Sequence, residues 1–157
     1  MNIFVPFADP VESAKFLDDS RVIKMTLETA QILSTALQDR DSDGLLYKPT
    51  HRNHPVVIWT VERAEHLAYT ISVFDALANE YAFRFGKIHK SYAMLRSYIG
   101  KIAGIGVQDR PDFFCNCTEF KDIDDVHEAY RLTLQAKWSA DKRRPKWTNR
   151  DNLIGDL

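Results

Sequence analysis

The chain has 157 residues, enough for one domain with a real core and too short for two comfortable ones. With 45% hydrophobic and 27% charged residues it reads as an ordinary globular protein. A net charge of −1 removes any bulk electrostatic argument for nucleic acid or membrane. No basic n-region with an apolar h-region opens the chain and no apolar run reaches spanning length, so the expectation is a cytoplasmic protein.

Taken in order, Met1–Phe7 is a short apolar run closed by Asp9-Pro10. Asp9 can cap a small helix over Val11–Leu17 with Pro10 at its first position. Ser20 starts a longer helix to about Gln38, stopped by the polar run Asp39–Gly44. A loop carries Leu45–Asn53. Pro55 to Phe85 holds no internal Gly or Pro and ends at Gly86, which predicts one helix about 45 Å long. Further helices are expected over Ser91–Ile102, ended by Gly104 and Gly106, and over Asp125–Ser139, with Gln108–Asp122 as loop. Residues 139–157 form a basic, aromatic tail. The expected fold is all-α, a compact single domain over residues 1–157 built on two long helices.

Charge is unevenly placed. From Tyr81 to Lys101 there are five basic residues and no acid, and from Asp141 to Asp151 five basic residues face two acids. A phosphate-binding face on a neutral protein has this pattern, as does a merely solvated surface. Cys115 and Cys117, spaced C-x-C, are poorly placed for an ordinary disulfide and lack two further ligands for zinc; reduced thiols are the expectation.

Three segments carry candidate chemistry. On the Ser20–Gln38 helix, apolar residues cover most of the circumference, while Arg21, Lys24, Glu28 and Gln31 form one narrow stripe. That stripe either lines a cleft centred on Glu28 or is a solvated row with a Lys24–Glu28 pair. The run His51-Arg52-Asn53-His54-Pro55 sets two imidazoles, an amide and a guanidinium at a helix N-terminus, where an anion is favoured. Contact with a phosphate or base, a turn-fixing role, and metal binding all fit it; no H-E-x-x-H motif or second ligand pair supports the metal. Glu80–Ser91 interleaves Tyr81, Phe83 and Phe85 with Arg84, Lys87, His89 and Lys90, and the tail repeats this mixture around Trp138 and Trp147. Such mixtures suit base stacking with phosphate contacts, or simple core packing by the aromatics.

Met1-Asn2-Ile3-Phe4, the run Asp19-Ser20-Arg21 through Lys24-Met25 to Glu28 and Gln31, Thr50-His51 with Asn53-His54-Pro55 and Trp59, and Glu80-Tyr81 with Arg84, Gly86-Lys87 and His89-Lys90 together resemble a group of small phage-encoded proteins. These in turn resemble the pyrimidine-dimer DNA glycosylases of the phage endonuclease V type. The resemblance spans most of the chain to about Lys90. It implies a compact all-α domain with the chain terminus tucked between helices and no cofactor or metal. It also implies a chemistry: the N-terminal amine attacks the deoxyribose C1′ to form a Schiff base, a glutamate on the first long helix assists, and β-elimination follows. A terminal amine suits this step because part of it is neutral near physiological pH.

By position the resemblance makes Met1 the amine and Glu28 the carboxylate, with Arg21 and Lys24 as phosphate or sugar-edge contacts. Arg52, Asn53 and His54 would read the base or hold a phosphate. Trp59, Tyr81 or Trp147 would fill the gap left by an extruded base. Asn2, Gln31, His51, Arg84, Lys87, His89 and Lys90 complete the expected substrate-facing set. The implied function is a DNA glycosylase/AP lyase whose partner is double-stranded DNA with a lesion or modified base. Rival readings are a non-catalytic nucleic-acid or nucleotide-binding phage protein using the same cleft, a phage protein that binds a host factor, and a metal-dependent hydrolase.

Overall fold

The computed structural model describes residues 1–106 and 108–151. Residues 152–157, the last part of the expected tail, lie outside the described residues. Among the described residues the regular structure is entirely helical: α1 Pro10–Phe16, α2 Asp19–Ala36, α3 Pro55–Glu62, α4 Ala64–Phe85, α5 Lys90–Ala103 and α6 Val126–Ala140, with a short 3-10 turn over Gln38–Arg40. None of these helices is long and apolar enough to cross a membrane.

Local chemistry sets most of the ends. Asp9 accepts hydrogen bonds from the Val11 and Glu12 amides, and Pro10 occupies the first turn of α1. α4 stops at Gly86 and α5 at Gly104, both in the left-handed conformation that glycine adopts without penalty.

The expected single helix from Pro55 to Phe85 is two helices, broken at Arg63, which is extended at φ −146° and ψ 151°. No proline or glycine makes this break. In a continuous helix the Trp59 carbonyl would receive the Arg63 N–H; here it meets His66 Nδ1 at 2.7 Å. The His66 ring also stacks on Trp59, with centroids 4.0 Å apart and planes 8° from parallel. A side chain thus replaces a backbone donor and lets the chain turn.

Two apolar clusters meet along α2 and α4. One gathers the N-terminal arm (Ile3, Phe4, Val5), α1, the first part of α2, α3, α6 and the tail. The other joins the second half of α2 to α4 and α5 through Leu33, Leu37, Phe74, Leu95 and Ile99. The arm is threaded into the bundle and pinned there by α6: His127 Nδ1 lies 2.7 Å from the Val5 carbonyl, and Arg131 donates to the Pro6 carbonyl at 2.6 Å.

The tail differs from its reading as a substrate-facing segment. Trp138 and Trp147 are buried against each other and against Phe16, and Trp147 Nε1 donates to the Phe16 carbonyl at 3.0 Å. Beneath them runs a buried ion cluster. Arg84 donates to Glu80 at 2.7 Å, to Asp19 at 3.0 Å and to the carbonyls of Ala14 and Lys15 at 3.4 and 3.0 Å. Arg150 closes a two-pronged contact on Glu80 at 2.9 and 2.7 Å. The Thr148 amide and hydroxyl bind Asp19. The tail is a staple across α1, α2 and α4.

Candidate active site at the chain terminus

α2 carries Glu28 to the point where the arm enters the bundle. Glu28 Oε2 accepts the Asn2 N–H at 2.8 Å, and the side chain is 13% exposed. One residue of backbone separates Asn2 N from the Met1 amine, so standard bond lengths put that amine within about 7 Å of the carboxylate. Asn2 Oδ1 turns back to accept the Ile3 amide at 2.8 Å, which fixes the arm's first bend. Lys24 lies 3.5 Å from Glu28 Oε1 with its own side chain 69% exposed, so the pair is open to water on the lysine side.

The His51–Pro55 turn closes the other side. Thr50 is held to α2 by paired contacts with Thr35 Oγ1 at 3.1 and 3.2 Å, which aims the following turn toward Glu28. His51 takes a positive φ of 50°, unusual for a residue with a side chain, and its carbonyl accepts the His54 N–H at 2.8 Å. His54 Nδ1 accepts from the Val56 amide at 3.3 Å and so caps α3. Partial burial lowers the His54 pKa, the positive charges of the terminal amine and of His51 lower it further, and Glu28 opposes them. A neutral His54 with Nδ1 as acceptor leaves the other ring nitrogen to carry the proton. Arg52 and Asn53 are exposed on the same turn.

The α4–α5 turn flanks α2 near its start. His89 caps α5 by accepting the Ser91 amide at 3.2 Å; burial lowers its pKa, against a hydrogen bond to the Ile23 carbonyl. Tyr81 is half-buried against His89 and Phe85, with centroids 4.9 Å from each. Lys87 and Lys90 are exposed beside them, and Gln31 is half-buried one turn beyond Glu28. Ile23 and Leu27, expected in the core from the apolar pattern of α2, are 44% and 39% exposed next to this turn.

Four expected contacts take other roles. Arg84 is fully buried and its guanidinium is engaged by Glu80, Asp19 and two carbonyls, so it holds the fold and cannot reach a substrate. Trp59 and Trp147 are 3% and 8% exposed, packed in the core, and cannot fill a gap in a base stack. Arg21 is bound on both sides, to Asp18 at 2.8 Å and Asp141 at 2.9 Å, which anchors α2 to the end of α6.

A groove of about 400 Å³ opens next to Lys24, between α2 and the end of α6, lined by Phe4, Arg21, Met25, Lys137, Lys142 and Arg143 among others. Lys137, Lys142 and Arg143 were absent from the expected site. Lys142 and Arg143 belong to the basic run after the last helix and Lys137 to that helix's last turn, and the fold sets them one turn of α2 away from Glu28. Among the described residues no three His, Cys, Asp or Glu side chains converge as a metal site would require.

The site therefore combines a chain terminus, a carboxylate within reach of it, a capped histidine turn and a bordering basic groove. Residues 1–94, which supply the arm, α1 to α4 and the start of α5, match the family model described as pyrimidine dimer DNA glycosylase. No curated protein and no solved structure matches the chain. With well over half of its length inside that match, the chain belongs to the pyrimidine dimer DNA glycosylase family.

Proposed function

We propose that the protein cleaves the glycosidic bond of a damaged base at pyrimidine dimers in double-stranded DNA and then nicks the strand as an AP lyase, through an imine formed by its terminal amine. The observation that carries this reading is the 2.8 Å contact between Asn2 N and Glu28 Oε2, with the Met1 amine one residue away. The amine attacks C1′, the glycosidic bond breaks, and the base takes up a proton. The C1′–O4′ bond then opens, O4′ takes the proton that the nitrogen gives up, and the imine is left. Glu28 holds the adjoining Asn2 N–H and stabilises the positive charge that develops on the amine and the sugar. Loss of the C2′ proton then expels the 3′ phosphate. If methionine is removed, the Asn2 nitrogen itself becomes the amine, already at hydrogen-bond distance from the carboxylate.

The surroundings fit a lesion held outside the stack. Arg52, Asn53, His51 and His54 would face the base or a flanking phosphate, and Lys24, Lys87 and Lys90 the backbone. Tyr81 is the aromatic candidate left at the surface, and the exposed Ile23, Leu27 and Ile88 suit a wedge that unstacks a base step.

The test compares native protein with Glu28→Gln on a duplex carrying one cyclobutane pyrimidine dimer. Native protein should break the glycosidic bond of one dimer base, which stays tethered to its partner through the cyclobutane ring, and nick the strand. The variant should bind with similar affinity and lose turnover by at least about 100-fold, the scale expected for loss of an electrostatic stabiliser. Binding by the native protein without glycosidic cleavage or nicking would leave a non-catalytic DNA-binding module in place of an enzyme.

A further inference from the structure

The active-site reading leaves Cys115 and Cys117 unused. They lie beyond residues 1–94, in the loop between α5 and α6. Their side chains, two residues apart, fall on one side of the chain, and the two sulfurs stand 3.7 Å from each other. Both cysteines are half-buried, so the pair is reachable from solvent.

The backbone around them is held in place. Tyr130 Oη, at the centre of the core, donates to the Cys115 carbonyl at 3.0 Å and accepts the Cys117 N–H at 3.2 Å. The Cys117 sulfur lies 3.7 Å from that of Cys115 and close to the Lys121 ammonium and the Val56 N–H in the first turn of α3. These neighbours favour a thiolate and lower the Cys117 pKa despite partial burial. Cys115 is pushed the opposite way, first by its contact with Cys117 and then by burial. Lys121 and the first turn of α3 stand on the Cys117 side of the pair, which favours attack from that sulfur.

We propose that Cys115 and Cys117 form a reversible dithiol–disulfide site, in which Cys117 attacks small-molecule disulfides and Cys115 resolves the product. The Cys117 thiolate attacks one sulfur of the reagent, the reagent's S–S bond breaks, and one half leaves as a thiolate that takes up a proton. Cys115 then gives up its proton, its sulfur attacks Cys117 Sγ, and the second half of the reagent leaves as a thiol. The protein loses two protons and two electrons, and the reagent is reduced to two thiols. A ring closed by cysteines two positions apart is small and strained, so added thiol readily reopens it. Val56 N–H, which donates to the ring of His54, also lies close to Cys117, which sets the oxidisable pair behind the histidine turn.

The test treats the folded protein with oxidised glutathione at neutral pH and reads intact mass and free thiols. The wild-type chain should lose both thiols, carry no glutathione, fall in mass by two hydrogens, and recover fully with dithiothreitol. Cys115→Ser should trap one glutathione on Cys117. Cys117→Ser should remain unmodified at Cys115 over the same period, and urea-unfolded wild type should lose the preference for Cys117. Two thiols that persist in the wild type, a stable glutathione adduct on it, or preferential modification of Cys115 would each overturn the proposal.

Discussion

Replacing Arg84 by Met separates a structural guanidinium from a DNA contact. The substitution keeps an unbranched stem of similar length and removes four hydrogen bonds, to Glu80, Asp19, Ala14 and Lys15. Glu80 keeps both contacts with Arg150, and Asp19 keeps Thr148, so neither carboxylate is stranded without donors. Breaking a buried pair by removing one partner costs about 3–5 kcal/mol, and the surviving contacts point to the lower end, about 3 kcal/mol. For a chain of this size that is a fall in Tm of roughly 6–12 °C. Urea denaturation followed by tryptophan fluorescence suits the measurement, because Trp138 and Trp147 are buried close to the cluster. A loss under about 1 kcal/mol, the worth of an exposed ion pair, would mean that Arg84 is not a buried structural cation. DNA affinity measured against salt provides the second reading. The folded variant should keep the native slope, and a slope lower by about one would return Arg84 to the list of phosphate contacts.

Two further outcomes follow from the charges. Burial raises the Glu80 pKa, but hydrogen bonds from Arg150 and Arg84 outweigh it and hold the group below its ordinary 4.5. A depressed carboxylate stabilises the fold fully above the unfolded value and loses that contribution as pH falls through the folded one. Urea midpoints should therefore drop as pH is lowered below about 4.5, and Glu80→Gln, less stable at neutral pH, should show a flatter profile. At the groove beside Lys24, joint replacement of Lys137, Lys142 and Arg143 by Ala should weaken DNA binding on every sequence and lower the salt slope by about 2–3, with melting temperature unchanged within error.

What the sequence disclosed follows the range of the forces involved. Asp9-Pro10 starting α1, Pro55 starting α3 and Gly86 ending α4 are local backbone chemistry, and each lies where the pattern put it. The stripe through Glu28 was legible as well, and that residue meets the arm. The break at Arg63 was not, because its cause is a ring seven residues from the carbonyl it satisfies. Arg84 reads as a surface cation until Asp19, Ala14 and Lys15, from 65 to 70 positions away, close around it. Trp147 has no periodic neighbours, so no helical pattern could announce that it belongs to the core. Ile23 and Leu27 failed in the opposite sense: apolar residues on a mostly buried helix were left uncovered beside the site.

The central claim is that chemistry occurs at the chain terminus beside Glu28, and borohydride trapping tests it most directly. Native protein mixed with duplex DNA carrying an abasic site or a pyrimidine dimer should give a stable covalent adduct on reduction. The modified peptide should be the first of the chain, attached through the amine of Met1 or of Asn2. Blocking the terminus with a short extension should abolish it. No adduct, or one mapped to an internal lysine such as Lys24 or Lys87 with strand nicking intact, would contradict the account.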